Sequence, residues 1–292
     1  MWDDDRLAAD RQRAIDNFVA ERKAADSALW AAKFDETRSL VMNVFAATNN
    51  LRSITSDSLL VEPGMWWHVL RYCCGPPVSE EDLWTYVGGP KFKKVSMHWA
   101  EHTAEVFRVF IDAVRFPWVG AGRDPTPSEL ERALDATVMP LAQQRFATAG
   151  RGRASRRQEA AVAAVLATAG FDRDVERRPI TTIDVLPRGS YSRERLLAGD
   201  KCDVPLRLRD GRILAIECKS SNGPKNGWKR LIREVGGKAD GWRRSFGEQV
   251  MTAAVLAGVY DLSALKGAHT RGVILFWEHD LGPLVEFATS AE

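Results

Sequence analysis

Asp203 and the triplet Glu217-Cys218-Lys219 stand on either side of an Asp210-Gly211 turn signal, in two segments rich in apolar residues. Carboxylates are hard oxygen ligands that suit Mg²⁺, which takes few protein ligands and keeps several waters. A metal held by such a pair polarises a phosphoryl oxygen and promotes ionisation of a bound water. A lysine beside the pair orients the attacking water and offsets charge that builds on the phosphate. The trio therefore suits phosphodiester hydrolysis by an in-line water. The same residue types on a strand also make ordinary surface salt bridges, which contribute little. The elements that position the trio decide between the two readings.

Asp210-Gly211 predicts a hairpin. A three-residue loop, Arg209-Asp210-Gly211, puts Gly211 in the left-handed position and sets Asp203 directly opposite Glu217. A two-residue turn shifts the pairing and mixes the faces. In the three-residue register both carboxylates share one face, and Lys219, two residues past Glu217, joins them. The other face carries Cys202, Val204, Leu206 and Leu208 from one strand and Leu214, Ile216 and Cys218 from its partner. It is apolar except for Arg212 at the turn. A core face backing a solvated, charged face selects this register. The register also expects Cys202 opposite Cys218 as two close, buried, reduced thiols.

Ser155-Arg156-Arg157-Gln158 fits a capping box and predicts a helix that stops at Gly170. Strand-like segments follow at 175–183, 202–208 and 212–219. Next come a basic helix over 226–244 and strands at 250–259 and 271–277. The alanines of 250–259 weaken the pattern there. This order predicts an α/β sheet covered by helices on both faces. In the basic helix, Trp228, Leu231, Val235, Ala239 and Trp242 form a stripe at helical spacing that belongs to a core. Lys225, Lys229, Arg230, Arg233, Lys238, Arg243 and Arg244 lie around it, facing either phosphates or solvent.

Residues 1–150 read as a mostly helical region and residues 151–292 as a separate domain. Helices are expected over 4–33, 35–47, 79–87 (capped by Ser79), 96–115 and 128–149, the last broken or ended by Pro140. Gly120–Pro127 and Gly150–Arg153 are the expected boundaries. His98-Trp99-Ala100-Glu101-His102 fits an H-x-x-E-H zinc-peptidase pattern. At helical spacing, however, it falls on a polar surface with Glu105, Arg108 and Asp112. Residues 1–150 hold 17 Lys/Arg against 21 Asp/Glu, and residues 151–292 hold 24 against 18. The basic second half is thus where a polyanion would sit. The acidic start, Met1 to Asp5, is not a secretory signal, and no apolar run is long enough to span a membrane. Four cysteines without zinc-site spacing are expected as reduced thiols of a cytoplasmic protein.

Asp203, fourteen residues before Glu217-Cys218-Lys219, resembles the PD-(D/E)XK nuclease signature, with Cys202 at a position where that superfamily often has Pro. More specifically, Glu217-Cys218-Lys219-Ser220-Ser221-Asn222, then Asn226 and Trp228-Lys229-Arg230-Leu231, are similar to the XamI-type restriction endonucleases. So are Arg271-Gly272 and Leu275-Phe276-Trp277-Glu278-His279-Asp280-Leu281. The firm likeness covers roughly residues 155–285; the first half resembles the family loosely, through Leu70-Arg71-Tyr72 and Pro77–Leu83. The resemblance implies a restriction-endonuclease-like core, a mixed sheet flanked by helices, behind a helical N-terminal region with a role in DNA binding or dimerisation. It implies Mg²⁺-dependent cleavage of double-stranded DNA at a short specific sequence, with Asp203 and Glu217 as metal ligands and Lys219 as the catalytic lysine. A homodimer and a cognate DNA methyltransferase are expected with it. Glu159 matches the glutamate that many such nucleases carry on the first core helix, although a helix macrodipole also favours a carboxylate there. Ser221, Asn222 and Asn226, with Lys229 and Arg230, are the expected DNA contacts. The rival readings are a repair or recombination nuclease with the same site, and a DNA-binding protein that keeps the fold without the chemistry.

Overall fold

The structure, a computed structural model, describes residues 4–61 and 66–291. Met1–Asp3 of the acidic start lie outside the described residues. The chain forms two compact units, Met1–Ala24 with Gly150–Glu292, and Ala25–Ala149. The boundary between the two units lies at Gly150, and the start of the chain groups with the C-terminal unit. Leu7 and Ala14, seven residues apart and so on one helix face, are buried among Leu231, Val235, Leu256 and Tyr260. Arg11 Nε donates to the Tyr260 carbonyl at 2.7 Å.

The helices of the first half are α1 (Asp4–Ala47), α2 (Ser56–Leu60), α3 (Trp67–Leu70), α4 (Glu80–Val87), α5 (Met97–Phe110), α6 (Pro117–Gly120) and α7 (Pro127–Thr168). Ser79 caps α4 as expected, accepting from the Asp82 amide at 3.0 Å. Four helical expectations need correction. The segments 4–33 and 35–47 are one helix. The helix at 96 stops at Phe110, because Ile111 pairs with Cys74 and the Asp112 amide donates to the Cys73 carbonyl. Val114, inside the expected helix range, lies beyond its end and is 92% exposed. Pro140, Gly150 and Gly152 all lie inside α7. Proline in a helix interior costs about 3 kcal/mol, but buried Val138, Leu141 and Ala142 hold the chain on both sides of it. Ser155 is therefore mid-helix and caps nothing. The Ala25–Ala149 unit packs around fully buried Trp67, Phe107, Phe116 and Trp118.

The C-terminal unit is built on β1 (Asp172–Arg173), β2 (Ser190–Tyr191), β3 (Arg195–Leu197), β4 (Asp200–Cys202), β5 (Val204–Arg207), β6 (Ile213–Asn222), β7 (Val250–Val259) and β8 (Val273–Trp277). A six-stranded sheet has the order β1-β2-β5-β6-β7-β8, and β3-β4 form a separate pair. β5 runs antiparallel to β6, while β6, β7 and β8 are parallel. The fold is thus α/β with a mixed sheet. The expected strand at 175–183 is absent; only Ile180 bridges to Leu197. Between β6 and β7 lie α8 (Pro224–Trp228), a π-helical stretch (Lys229–Val235) and α9 (Gly236–Phe246). Parallel neighbours need a crossover. For β7 and β8 it is α10 (Leu262–Thr270), and α11 (Gly282–Ser290) follows β8; the sequence reading had neither helix.

Both faces of the sheet are covered, as expected. Leu206, Leu214, Ile216, Cys218 and Val255 pack against Val162 and Leu166 of α7 and Leu284 of α11. On the other face Ala254, Leu256 and Leu275 meet Leu231, Val235 and Ala239, and Ile213 and Ala215 meet Trp242. Trp228 leaves the predicted stripe and is 45% exposed. The π-helical stretch that follows it turns the helix at a different pitch, so the phase extrapolated from a regular helix fails there.

The β5–β6 hairpin has the predicted register, Val204 opposite Ile216 and Leu206 opposite Leu214. Gly211 has φ 100°, which a side chain would resist. The ladder ends at Val204, however, and the chain bends at Asp203. Cys202 consequently turns into the cluster with Ile213 and Trp242, while Cys218 stays with Leu214 and Ile216. The two thiols lie on opposite faces of the sheet, which corrects the expected pairing. Burial pushes both thiols well above their ordinary range, so neither supplies a thiolate at neutral pH. Iodoacetamide is expected to label neither cysteine in the native protein, with or without reductant. Labelling of either residue before unfolding, read by peptide mass spectrometry, would contradict this burial.

Candidate active site

The bend at Asp203 makes the site. Where a continued β5 would bond the Cys218 amide, the Asp203 carboxylate does so instead: Oδ2 accepts from Cys218 N at 2.8 Å. The same oxygen accepts from Lys219 Nζ at 2.9 Å. Lys219 Nζ also lies 2.8 Å from Glu217 Oε2. One ammonium therefore bridges the two carboxylates, and the three residues singled out by spacing do come together. The Lys219 carbonyl is itself fixed, accepting from the buried Tyr260 hydroxyl at 2.8 Å.

The face they share is not the open one that strand alternation predicts. Glu217 is 0% exposed, and the side chains of Lys219 and Asp203 are 11% and 16% exposed. The neighbours of Glu217 on that face, Ile213 and Ala215, are core under α9. Both faces of β6 are buried in its first half because helices cover both sides, the usual state of a central strand. Burial, with the charge of Asp203 adding, raises the Glu217 carboxyl above its ordinary value, and Lys219 and Lys238 oppose that rise. Burial disfavours the charge of Lys219, but Glu217 and Asp203 outweigh it and hold the ammonium protonated.

Lys238 is the residue the reading of the strands missed. Its Nζ, carried by α9, is 2.9 and 2.8 Å from Glu217 Oε1 and Oε2 and also donates to the Lys201 carbonyl. A signal for it exists in the sequence. Lys238 is three residues after Val235 and four before Trp242, so it falls on the apolar stripe of its own helix. A lysine on a core stripe implies a buried anionic partner.

The other predicted residues are placed differently. Glu159 is not brought into the cluster. It sits on α7, where its Oε1 accepts from Ser155 at 2.8 Å and its Oε2 lies 3.5 Å from Arg193. It acts on the Cys218 thiol, which belongs to the opposite face from Glu217. Ser221 is buried, and its hydroxyl donates to the Gly223 carbonyl at 2.9 Å, so it braces the turn into α8 rather than facing outward. Asn222 is exposed and accepts from Asn226 Nδ2 at 3.0 Å. Lys229 is exposed and Arg230 half-buried, and both directly follow the exposed Trp228. The H-x-x-E-H segment assembles no metal site. Glu101 is engaged by Ser56 and Arg108, and no cluster of three or more His, Cys, Asp or Glu at metal-binding distance exists among the described residues.

At one hairpin of a mixed α/β sheet the chain thus brings together two carboxylates and a lysine. The chain belongs to the XamI restriction endonuclease family, whose sequence pattern it matches over residues 49–277. It is 34% identical over 260 residues to the type II restriction enzyme XamI of Xanthomonas campestris pv. amaranthicola, across 84% of this chain and 92% of that protein. The match thus takes in much of the helical first half as well as the sheet. No solved structure matches the chain.

Proposed function

We propose that this protein is a site-specific endonuclease that hydrolyses double-stranded DNA with Mg²⁺, on a core of the PD-(D/E)XK type. One observation carries the reading: in a chain of a restriction endonuclease family, the carboxylates of Asp203 and Glu217 lie close enough together to share one ammonium, Lys219 Nζ. The helix, antiparallel hairpin, crossover helices and parallel strand that surround it support the core assignment.

The donor set fits the metal. Two hard carboxylates this close together suit Mg²⁺, which leaves most of its coordination to water. Asp203 and Glu217 would hold it, and bound there it would supply Lewis-acid polarisation and a water of lowered pKa. The rest falls to the chain's own groups. Lys219, kept protonated by its two carboxylates, offsets charge that builds on the phosphate. The Cys218 amide aims Asp203, and Tyr260 aims the backbone of Lys219. A two-fold dimer on a palindromic site and a methyltransferase that protects the host's own sites belong to the same proposal. Incubating a plasmid of known sequence with Mg²⁺ and sequencing the ends tests it. Ends confined to one short sequence are expected. Ends scattered over the plasmid would favour a repair or recombination nuclease, and an uncut plasmid bound by the protein would favour a DNA-binding role.

Lys229 and Arg230 lie just beyond the last residues of β6 on a surface with Trp228, Asn222 and Asn226, which suits contact with a DNA backbone. Changing either basic residue to Ala should weaken binding to cognate and scrambled duplexes alike. The slope of log affinity against log salt should then shrink by about one unit. If Arg230 reads a guanine edge instead, its loss should cost about 1–3 kcal/mol at the cognate site only. Titrations with Ca²⁺ in place of Mg²⁺ separate these outcomes, and unchanged affinity in both variants would move the DNA elsewhere.

A further inference from the structure

Glu217 has two ammonium partners, and only one comes from its own strand. Lys238 Nζ bonds both oxygens of the carboxylate, at 2.9 and 2.8 Å, and Lys219 Nζ takes Oε2 as well. The four charged groups, Asp203, Glu217, Lys219 and Lys238, sum formally to zero without any metal. A buried carboxylate is tolerable only when paired, so this arrangement explains how Glu217 stays in the core of the DNA-free protein. It also means that the lone pairs a divalent cation needs are already in use.

We propose that Lys238 is a resident counter-cation of the site, which holds Glu217 in the DNA-free protein and opposes divalent metal binding there. The inference rests on Asp203 and Glu217 being the metal ligands. Lys238 is better suited to yield than Lys219. Lys219 is anchored between two carboxylates, whereas Lys238 has the single carboxylate and a backbone carbonyl, and its side chain is 24% exposed. Its stem runs beside Trp242, with Nζ 5.8 Å from the ring centroid, so the ammonium has a second, weaker resting place against an aromatic face. A phosphodiester arriving with DNA would offer the displaced ammonium a new anionic partner. Metal loading and DNA binding then favour each other, because each relieves a cost the other would meet alone.

The test reads metal binding without DNA, by calorimetric titration of the full-length protein with Ca²⁺. Lys238→Met keeps the stem and removes the charge. It should bind Ca²⁺ about tenfold or more tightly than the wild type, since a positive charge next to the metal ligands is gone. Lys238→Arg keeps the charge and should not gain affinity. Unchanged or weaker binding in Lys238→Met overturns the proposal. Glu217→Gln separates this failure from that of the metal site: if Glu217→Gln loses Ca²⁺ while Lys238→Met gains nothing, only the role of Lys238 falls. If Glu217→Gln binds Ca²⁺ as the wild type does, the metal-site reading falls too. A second measurement needs no variant. In the wild-type protein the Lys238 amine should be acetylated slowly by an acylating reagent, and several-fold faster with saturating Ca²⁺. A rate that does not respond to Ca²⁺ overturns the proposal by itself.

Discussion

Lys219→Ala should cleave DNA at least about 10²–10³ times more slowly than the wild type while still binding it. The ammonium is the only group in the cluster within reach of both Asp203 and Glu217, so no neighbour replaces it. Removing it makes the site more negative, and divalent metal should bind no less well. Loss of turnover with Ca²⁺ binding retained therefore assigns Lys219 to the chemical step. Asp203→Asn and Glu217→Gln should lose turnover and Ca²⁺ binding together. Glu217→Ala is a poorer probe than alternation on a solvated face would suggest. It would leave two ammoniums facing a buried void, so part of any effect would be a loss of fold. Single-turnover rates on a short cognate duplex, with melting curves beside them, check each variant. Full activity in Lys219→Ala would remove it from the mechanism.

Asp174→Ala should lower the stability of the C-terminal unit by about 3–5 kcal/mol, the cost of stranding a buried charge. Arg195 has a side chain only 1% exposed, and its Nη1 is 2.8 Å from Asp174 Oδ2. Its Nε donates to the Arg178 carbonyl at 2.7 Å, and its Nη2 has no protein partner. Arg195 opens β3, the partner of β4, and β4 leads the chain into the bend at Asp203. The expected loss thus falls on the strand pair that leads into the bend at Asp203. Urea unfolding measures it. Adding Arg195→Met to Asp174→Ala should recover part of the loss, because the double variant leaves no uncompensated charge. A loss below about 1 kcal/mol for Asp174→Ala would place the pair among ordinary surface bridges.

The hairpin was legible because its signals are local. Asp210-Gly211 names the turn, a three-residue loop sets the pairing, and the alternation of Val204, Leu206, Leu214 and Ile216 selects one register. Helix ends were less legible. Pro140, Gly150 and Gly152 are breakers by propensity, yet α7 runs through all three, since propensities of roughly 1–3 kcal/mol yield to packing. The bend at Asp203 escaped because it serves a side-chain bond to the Cys218 amide, and no period-two pattern encodes that.

The chain's own order of residues determined that Asp203, Glu217 and Lys219 come near one another, because turn chemistry and strand period set the register of the hairpin, and the bend at Asp203 completes the contact. Only the tertiary structure decided what surrounds them. Glu217 is buried because α9 closes over the face that alternation leaves open. Lys238 reaches it from twenty-one residues further on, because α9 packs over the face of β6 that carries Glu217. Glu159 is left on the other face, because α7 packs against Cys218 and not against Glu217. Each of these depends on which helix covers which side of a central strand, and that is a property of long-range packing that no local pattern carries.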